Sequence, residues 1–262
     1  MSDADLNNHA DPATEFGNVL LHLRNKQIDV FATRRGIRLG VLNRMLRQVT
    51  RARAKTLRRG FQVVVSEQVV EVPLVLRHLR PQDTRILDFG GFESLLPLSL
   101  AALGHHVTVL DQRPYPFSHP RLQAVRRDLL GDLGGMKGDF DAVVSISTIE
   151  HLGLGSYGDI RQEDEGDRLG VERLWTLVRP GGRLLATVPA GAAAVHRGYR
   201  VYDRQRLQRT FPHLSTSQWF RKEGREGAWH QVDASEAERV RYQSPDASMP
   251  VEAVVFVICE KP

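Results

Sequence analysis

One stretch constrains this chain more than any other: Ile86-Leu87-Asp88-Phe89-Gly90-Gly91-Phe92-Glu93-Ser94. A short apolar run ending in glycines reads as a buried parallel strand. Glycine permits a tight turn and lets the backbone pass close beneath a ligand. The segment SLLPLSLAALG then predicts a helix, with Pro97 in its first turn, where proline is tolerated, and Gly104 closing it. Strand, glycine turn and helix together make the first unit of a doubly wound nucleotide-binding sheet. The next apolar run, His106 to Asp111, reads as a second strand ending in a carboxylate about 20 residues after the turn, where such folds hold ribose hydroxyls.

The alternation continues downstream. Leu122 to Val125 predicts a short third strand and Phe140 to Ser147 a fourth. A helix over 166–178 presents Leu169, Val171, Leu174 and Leu177 as its apolar stripe, and Pro180-Gly181-Gly182 stops it before a fifth strand from Arg183 to Val188. Strands alternating with helices predict an α/β fold, a parallel sheet covered on both faces. The tail differs: after a helix over 203–211, the strand-like segments 217–222 and 253–260 have no crossover helix between them and pair naturally antiparallel. Upstream, FQVVVSEQVVEVPLVLRHL predicts a short extended segment and then a helix from about Pro73 to Leu79, ended by Pro81.

A length of 262 residues suits one α/β domain with an appendage rather than two enzymatic domains. We expect a disordered tail over 1–12, a basic helical extension over 13–70 and the main domain over 71–262. Between Arg24 and Arg59 twelve Lys and Arg residues face only Asp29, on two expected amphipathic helices, 13–32 and 36–57. Such a patch can meet nucleic-acid phosphate, an anionic membrane surface or an acidic substrate, or it is a solvated helix face. The single cysteine, Cys259, excludes an intramolecular disulfide and reads as a buried residue of the last strand. The N-terminus lacks the apolar core of a signal peptide, and no apolar run reaches the ~20 residues of a membrane span. The expectation is a soluble, cytoplasmic protein with no membrane span.

The chemistry of the glycine turn narrows the ligand. A dinucleotide needs positive potential for its pyrophosphate at the helix start. The G-x-G-x-x-G pattern is absent, because Phe92 stands where the second glycine would fall, and Glu93 would repel phosphate. A cationic, phosphate-free nucleoside suits Asp88 and Glu93 better, although Glu93 also reads simply as a favourable charge near a helix N-terminus.

These residues resemble the class I S-adenosylmethionine (SAM) dependent methyltransferases, of the type 11-like kind, over roughly 71–262. The resemblance implies a seven-stranded, mostly parallel, doubly wound sheet. It implies that Asp88, Gly90, Gly91 and Phe92 hold the methionine part of SAM, Asp111 the ribose and Asp128 the adenine, with Ser145 a further cofactor-binding candidate. The match departs from the family at Phe92, where glycine is usual. A second signature, Glu150-His151-Leu152-Gly153-Leu154-Gly155-Ser156-Tyr157-Gly158-Asp159, followed by VPAG at 188–191 and HRGYRVYD at 196–203, is similar to a subgroup sharing an EHxGLGxYGD stretch.

The pair Glu150-His151 follows a strand's C-terminal end, where doubly wound folds place their ligands. Histidine is the usual general base near neutral pH. His151 with Glu150 is therefore a candidate catalytic pair, and Tyr157, Asp159 and His196 are candidates to line an acceptor pocket. The alternative is that the pair starts a helix and packs under the glycine loop. The run also resembles the E-x-x-E-H of magnesium-dependent RNA 2′-O-methyltransferases, but Ser147 replaces the first glutamate, which weakens a hard-cation site, and no bound metal is expected. The leading expectation is methyl transfer to a small-molecule or sugar-containing acceptor, at oxygen. The alternatives are an RNA methyltransferase gripping phosphate through the arginine-rich helices, a non-catalytic binding module and a nicotinamide oxidoreductase.

Overall fold

The computed structural model describes residues 66–155, 162–224, 227–242 and 251–262. The expected tail over 1–12, nearly all of the expected basic extension, and Tyr157 and Asp159 of the second signature lie outside these residues.

Strand β1 (Arg85–Phe89) runs parallel to β2 (His106–Asp111) on one side and to β4 (Phe140–Ile146) on the other. Beyond β2 lies β3 (Leu122–Arg126), and beyond β4 lies β5 (Val178–Pro189), both also parallel. The tail then reverses direction. Strand β10 (Ala253–Glu260) inserts antiparallel between β5 and β8 (Thr216–Lys222). A hairpin partner, β9 (Trp229–Val232), extends the edge. The order β3-β2-β1-β4-β5-β10-β8-β9 makes an eight-stranded sheet, one strand more than the seven expected. The extra strand is four residues long and half exposed, too short to show an alternating pattern.

Helices cover both faces, as alternation demands. On one face α1 (Gln68–His78) and α2 (Leu96–Ala102) bury Leu74, Val75, Leu96 and Leu100 against Ile86, Val109 and Val144. On the other, α3 (Gly166–Leu177) lays Val171, Leu174 and Leu177 on Leu87, Val143 and Leu184. Helix α4 (Arg204–Thr210), whose first turn is capped by Asp203 accepting from the Arg206 N–H, adds Leu207 to that face. A short hairpin, β6 (Ala194–His196) and β7 (Tyr199–Val201), and the single-turn α5 (Ala234–Ala237) complete the described chain.

Two boundaries differ from the sequence reading. Helix α1 starts at Gln68, not Pro73, and carries Pro73 in its interior. The ring removes one N–H; its expected partner is the carbonyl of Val69, a residue half exposed to water. Strand β5 begins at Val178, immediately after α3, because Pro180-Gly181-Gly182 forms an irregularity within the strand rather than a loop before it.

Candidate functional site

The strand order reverses between β1 and β4, and at such a point the connections leave a crevice beyond the strands' C-terminal ends. Gly90 leaves β1 there with φ +79° and ψ +23°, a left-handed conformation that costs a glycine nothing. Its N–H donates to the Leu110 carbonyl at 2.9 Å, which ties the turn to β2. A Cβ at Gly91 would stand 2.5 Å from Asp88 Oδ1, so the turn wraps closely over that carboxyl. Asp88 is buried, and its pKa rises to about 8, first through desolvation and then through the nearby Asp111 charge.

Asp111 closes the other side of this cradle. Its Oδ2 accepts from the Phe92 N–H at 3.2 Å and its Oδ1 from the Arg113 N–H at 2.9 Å. The Arg113 side chain adds Nε to Oδ1 at 3.2 Å and Nη2 to Oδ2 at 3.3 Å. Its Nη1 reaches Glu93 Oε1 at 3.1 Å, and its guanidinium lies 4.4 Å over the Phe92 ring. Asp88, Gly90, Gly91, Phe92 and Asp111 thus converge on one place, and the Phe92 ring is held by Arg113.

A second cluster begins where β4 ends. Ser147 is the one non-glycine with positive φ among the described residues, at +43°. Its Oγ donates to Glu71 Oε1 at 2.6 Å, and the Thr187 hydroxyl donates to the same oxygen at 2.7 Å. Burial pushes the Glu71 carboxyl up to about 8, and Glu67 adds to the rise. The following turn, Ile149–His151, carries the candidate base. His151 Nδ1 lies 2.5 Å from the Gly198 carbonyl at the tip of the β6–β7 hairpin. A carbonyl only accepts, so Nδ1 carries the proton, and Nε2 is the lone-pair nitrogen of the neutral ring. Glu150 Oε1 stands 3.7 Å from Nε2.

The same hairpin positions that turn through Arg200, which is fully buried. Its guanidinium donates to the carbonyls of Leu152 at 2.6 Å, Glu163 at 3.1 Å and Asp164 at 3.0 Å, with Nε 3.6 Å from Asp167 Oδ1. Asp167 in turn accepts from the Tyr202 hydroxyl at 2.9 Å. His196 stacks on Tyr199 at 4.9 Å, its register partner across the hairpin whose tip carries Gly198.

Among solved structures, a putative methyltransferase from Bacillus halodurans superimposes with a TM-score of 0.51 at 10% identity, over 74% of this chain and 99% of that one. The [4+2]-cyclase SpnF does so with a TM-score of 0.50 at 14% identity, over 76% and 84%. The chain has the class I methyltransferase fold. The 1,6-didemethyltoxoflavin-N1-methyltransferase of Burkholderia thailandensis, solved with S-adenosylhomocysteine, is also similar to it: 16% identity, 87% of this chain and 93% of that one, TM-score 0.49. The family profile described as "Caenorhabditis protein of unknown function, DUF268" matches residues 119–236. None of the curated protein sequences matches the chain.

Within this methyltransferase fold, one of the cofactor candidates faces away from the cradle. Ser145 is fully buried and follows Val144, the register partner of Asp88, so it faces the α3 side, opposite Asp88. Asp128 lies just past β3, at the sheet end shared with Asp111, and its Oδ1 accepts from the Leu130 N–H at 2.9 Å, a turn contact. The pair Glu150-His151 forms a 3₁₀ turn rather than the start of a longer helix. Arg113, Glu71 and Arg200 were missed. A lone glutamate inside the apolar run VVEVPLVL was a visible signal for Glu71. Among the described residues, no helix is long and apolar enough to cross a membrane, and no three His, Cys, Asp or Glu side chains are grouped to hold a metal ion.

Proposed function

We propose that the chain is a SAM-dependent methyltransferase that moves a methyl group to an oxygen of a small-molecule or sugar-containing acceptor. The observation that carries the reading is the buried Asp88 carboxyl beside Asp111 under a glycine turn. Two carboxyls crowded there favour a cation and disfavour a pyrophosphate, so the cradle fits a sulfonium and an ammonium group. SAM supplies, when bound, a methyl group already activated for displacement. Asp88 and the Gly90–Gly91 backbone would hold its charged amino-acid part, and Asp111 its ribose. What remains for the protein is alignment, which can account for roughly 7–11 kcal/mol of barrier at best. His151 Nε2 would take the acceptor hydroxyl's proton during attack, and Glu150 would stabilise the resulting imidazolium. The Gly198 carbonyl holds the ring in the tautomer this requires.

The test is titration calorimetry of the full chain with SAM, S-adenosylhomocysteine and NAD. Micromolar binding of the first two and none of the third is the expected result. Binding of NAD alone would reassign the cradle to a nicotinamide cofactor. The occupation of Asp111 by Arg113 favours a second reading, a methyltransferase-like module that binds no cofactor. The SpnF likeness shows that this fold does not dictate methyl transfer. Absence of all three ligands at millimolar concentration would support that second reading.

A further inference from the structure

An ionised carboxylate has about four lone-pair sites for hydrogen bonds. At Asp111 four donors are present. Two are backbone, the N–H groups of Phe92 and Arg113. Two are the forked side chain of Arg113, one on each oxygen. A ribose offers a vicinal pair of hydroxyls, which is also a two-pronged donor. The planar guanidinium further covers one face of Phe92. Glu93 holds the third nitrogen, so the arginine keeps a partner if it lets go of Asp111. The ion pair is partly open to solvent, with the Arg113 side chain 28% exposed, so release does not require unfolding.

We propose that Arg113 is a resident surrogate for the ribose diol: it fills the two outer sites of Asp111, must be displaced when a nucleoside binds, and is received by Glu93. This inference rests on the cofactor reading given above. The competition weakens nucleoside binding and leaves the carboxylate paired when no ligand is present, which an acidic pocket otherwise lacks.

The experiment measures S-adenosylhomocysteine affinity by calorimetry for the wild-type chain, Arg113→Gln and Arg113→Lys, with thermal unfolding of each. Displacement predicts at least tenfold tighter binding for Arg113→Gln. Arg113→Lys, which keeps the charge but loses the fork and the ring contact, should bind roughly threefold to fivefold tighter. A merely structural arginine would move affinity the other way. Equal or weaker binding by both variants, with wild-type binding intact, overturns the inference and leaves the cofactor reading standing. No binding by wild type or either variant overturns the cofactor reading and this inference with it.

Discussion

Thr148 fills the space that a side chain on Gly90 would need: a Cβ there would stand 2.8 Å from Thr148 Cβ and closer still to its methyl and hydroxyl groups. The two residues leave neighbouring parallel strands on either side of the switch point, and their contact joins the glycine turn to the turn that bears His151. Gly90→Ala should therefore lose stability twice, by roughly 1–2 kcal/mol for the left-handed backbone and by about 1–3 kcal/mol for overpacking. Adding Thr148→Ala removes the methyl and hydroxyl but leaves the Cβ at 2.8 Å, so it should restore only part of the second loss and none of the first, as read from urea unfolding midpoints.

Asp111→Ala should weaken S-adenosylhomocysteine binding by at least about tenfold, since hydrogen bonds to a charged group are worth about 1.5–3 kcal/mol each. The sheet should persist, because the variant loses no apolar packing. Unchanged affinity with unchanged circular dichroism would remove Asp111 from the site.

The pKa of Asp88, raised to about 8, gives a pH signature. A cation binds the ionised form, so SAM affinity should increase as pH rises through about 8, with close to one proton released per ligand below that pH. Calorimetry in buffers of different ionisation enthalpy counts that proton. Asp88→Asn should abolish the release and flatten the profile.

Glu71 makes the opposite demand on the fold. Its pKa lies near 4.5 in the unfolded chain and about 8 in the folded one. A carboxyl raised in this way contributes stability that is complete below about 4.5 and lost progressively as pH rises through about 8. Glu71→Gln keeps an acceptor for Ser147 and Thr187 without an ionisable proton. Its unfolding midpoint should fall less than that of wild type over this range and exceed it above about pH 8.

Arg200 and His151 separate structure from chemistry. Arg200→Met leaves four carbonyls, those of Glu150, Leu152, Glu163 and Asp164, and the Asp167 carboxylate without their buried guanidinium, and should cost about 3–5 kcal/mol of stability. His151→Ala should leave folding and S-adenosylhomocysteine affinity unchanged, while methyl transfer to a hydroxyl acceptor falls by about 10²–10⁴-fold. A loss of cofactor affinity in His151→Ala would instead assign the residue to packing under the glycine loop.

The chain's alternating periods, its glycine turn after β1 and the carboxylate ending β2 were readable without coordinates, and so was the antiparallel pairing of 253–260 with 217–222, because each depends on backbone preferences and side-chain alternation within a few residues. Those signals determined the fold and the cradle. Partnerships across the chain were beyond them: Glu71 meets Thr187 across 116 residues, and Arg200 grips Leu152 across 48. Even Arg113, two residues from Asp111, is aimed by Phe92 and Glu93, which arrive from the preceding βα unit. Whether a carboxylate stands open to a ligand or is already paired depends on which cation the folded chain brings beside it, and only the tertiary structure decided that.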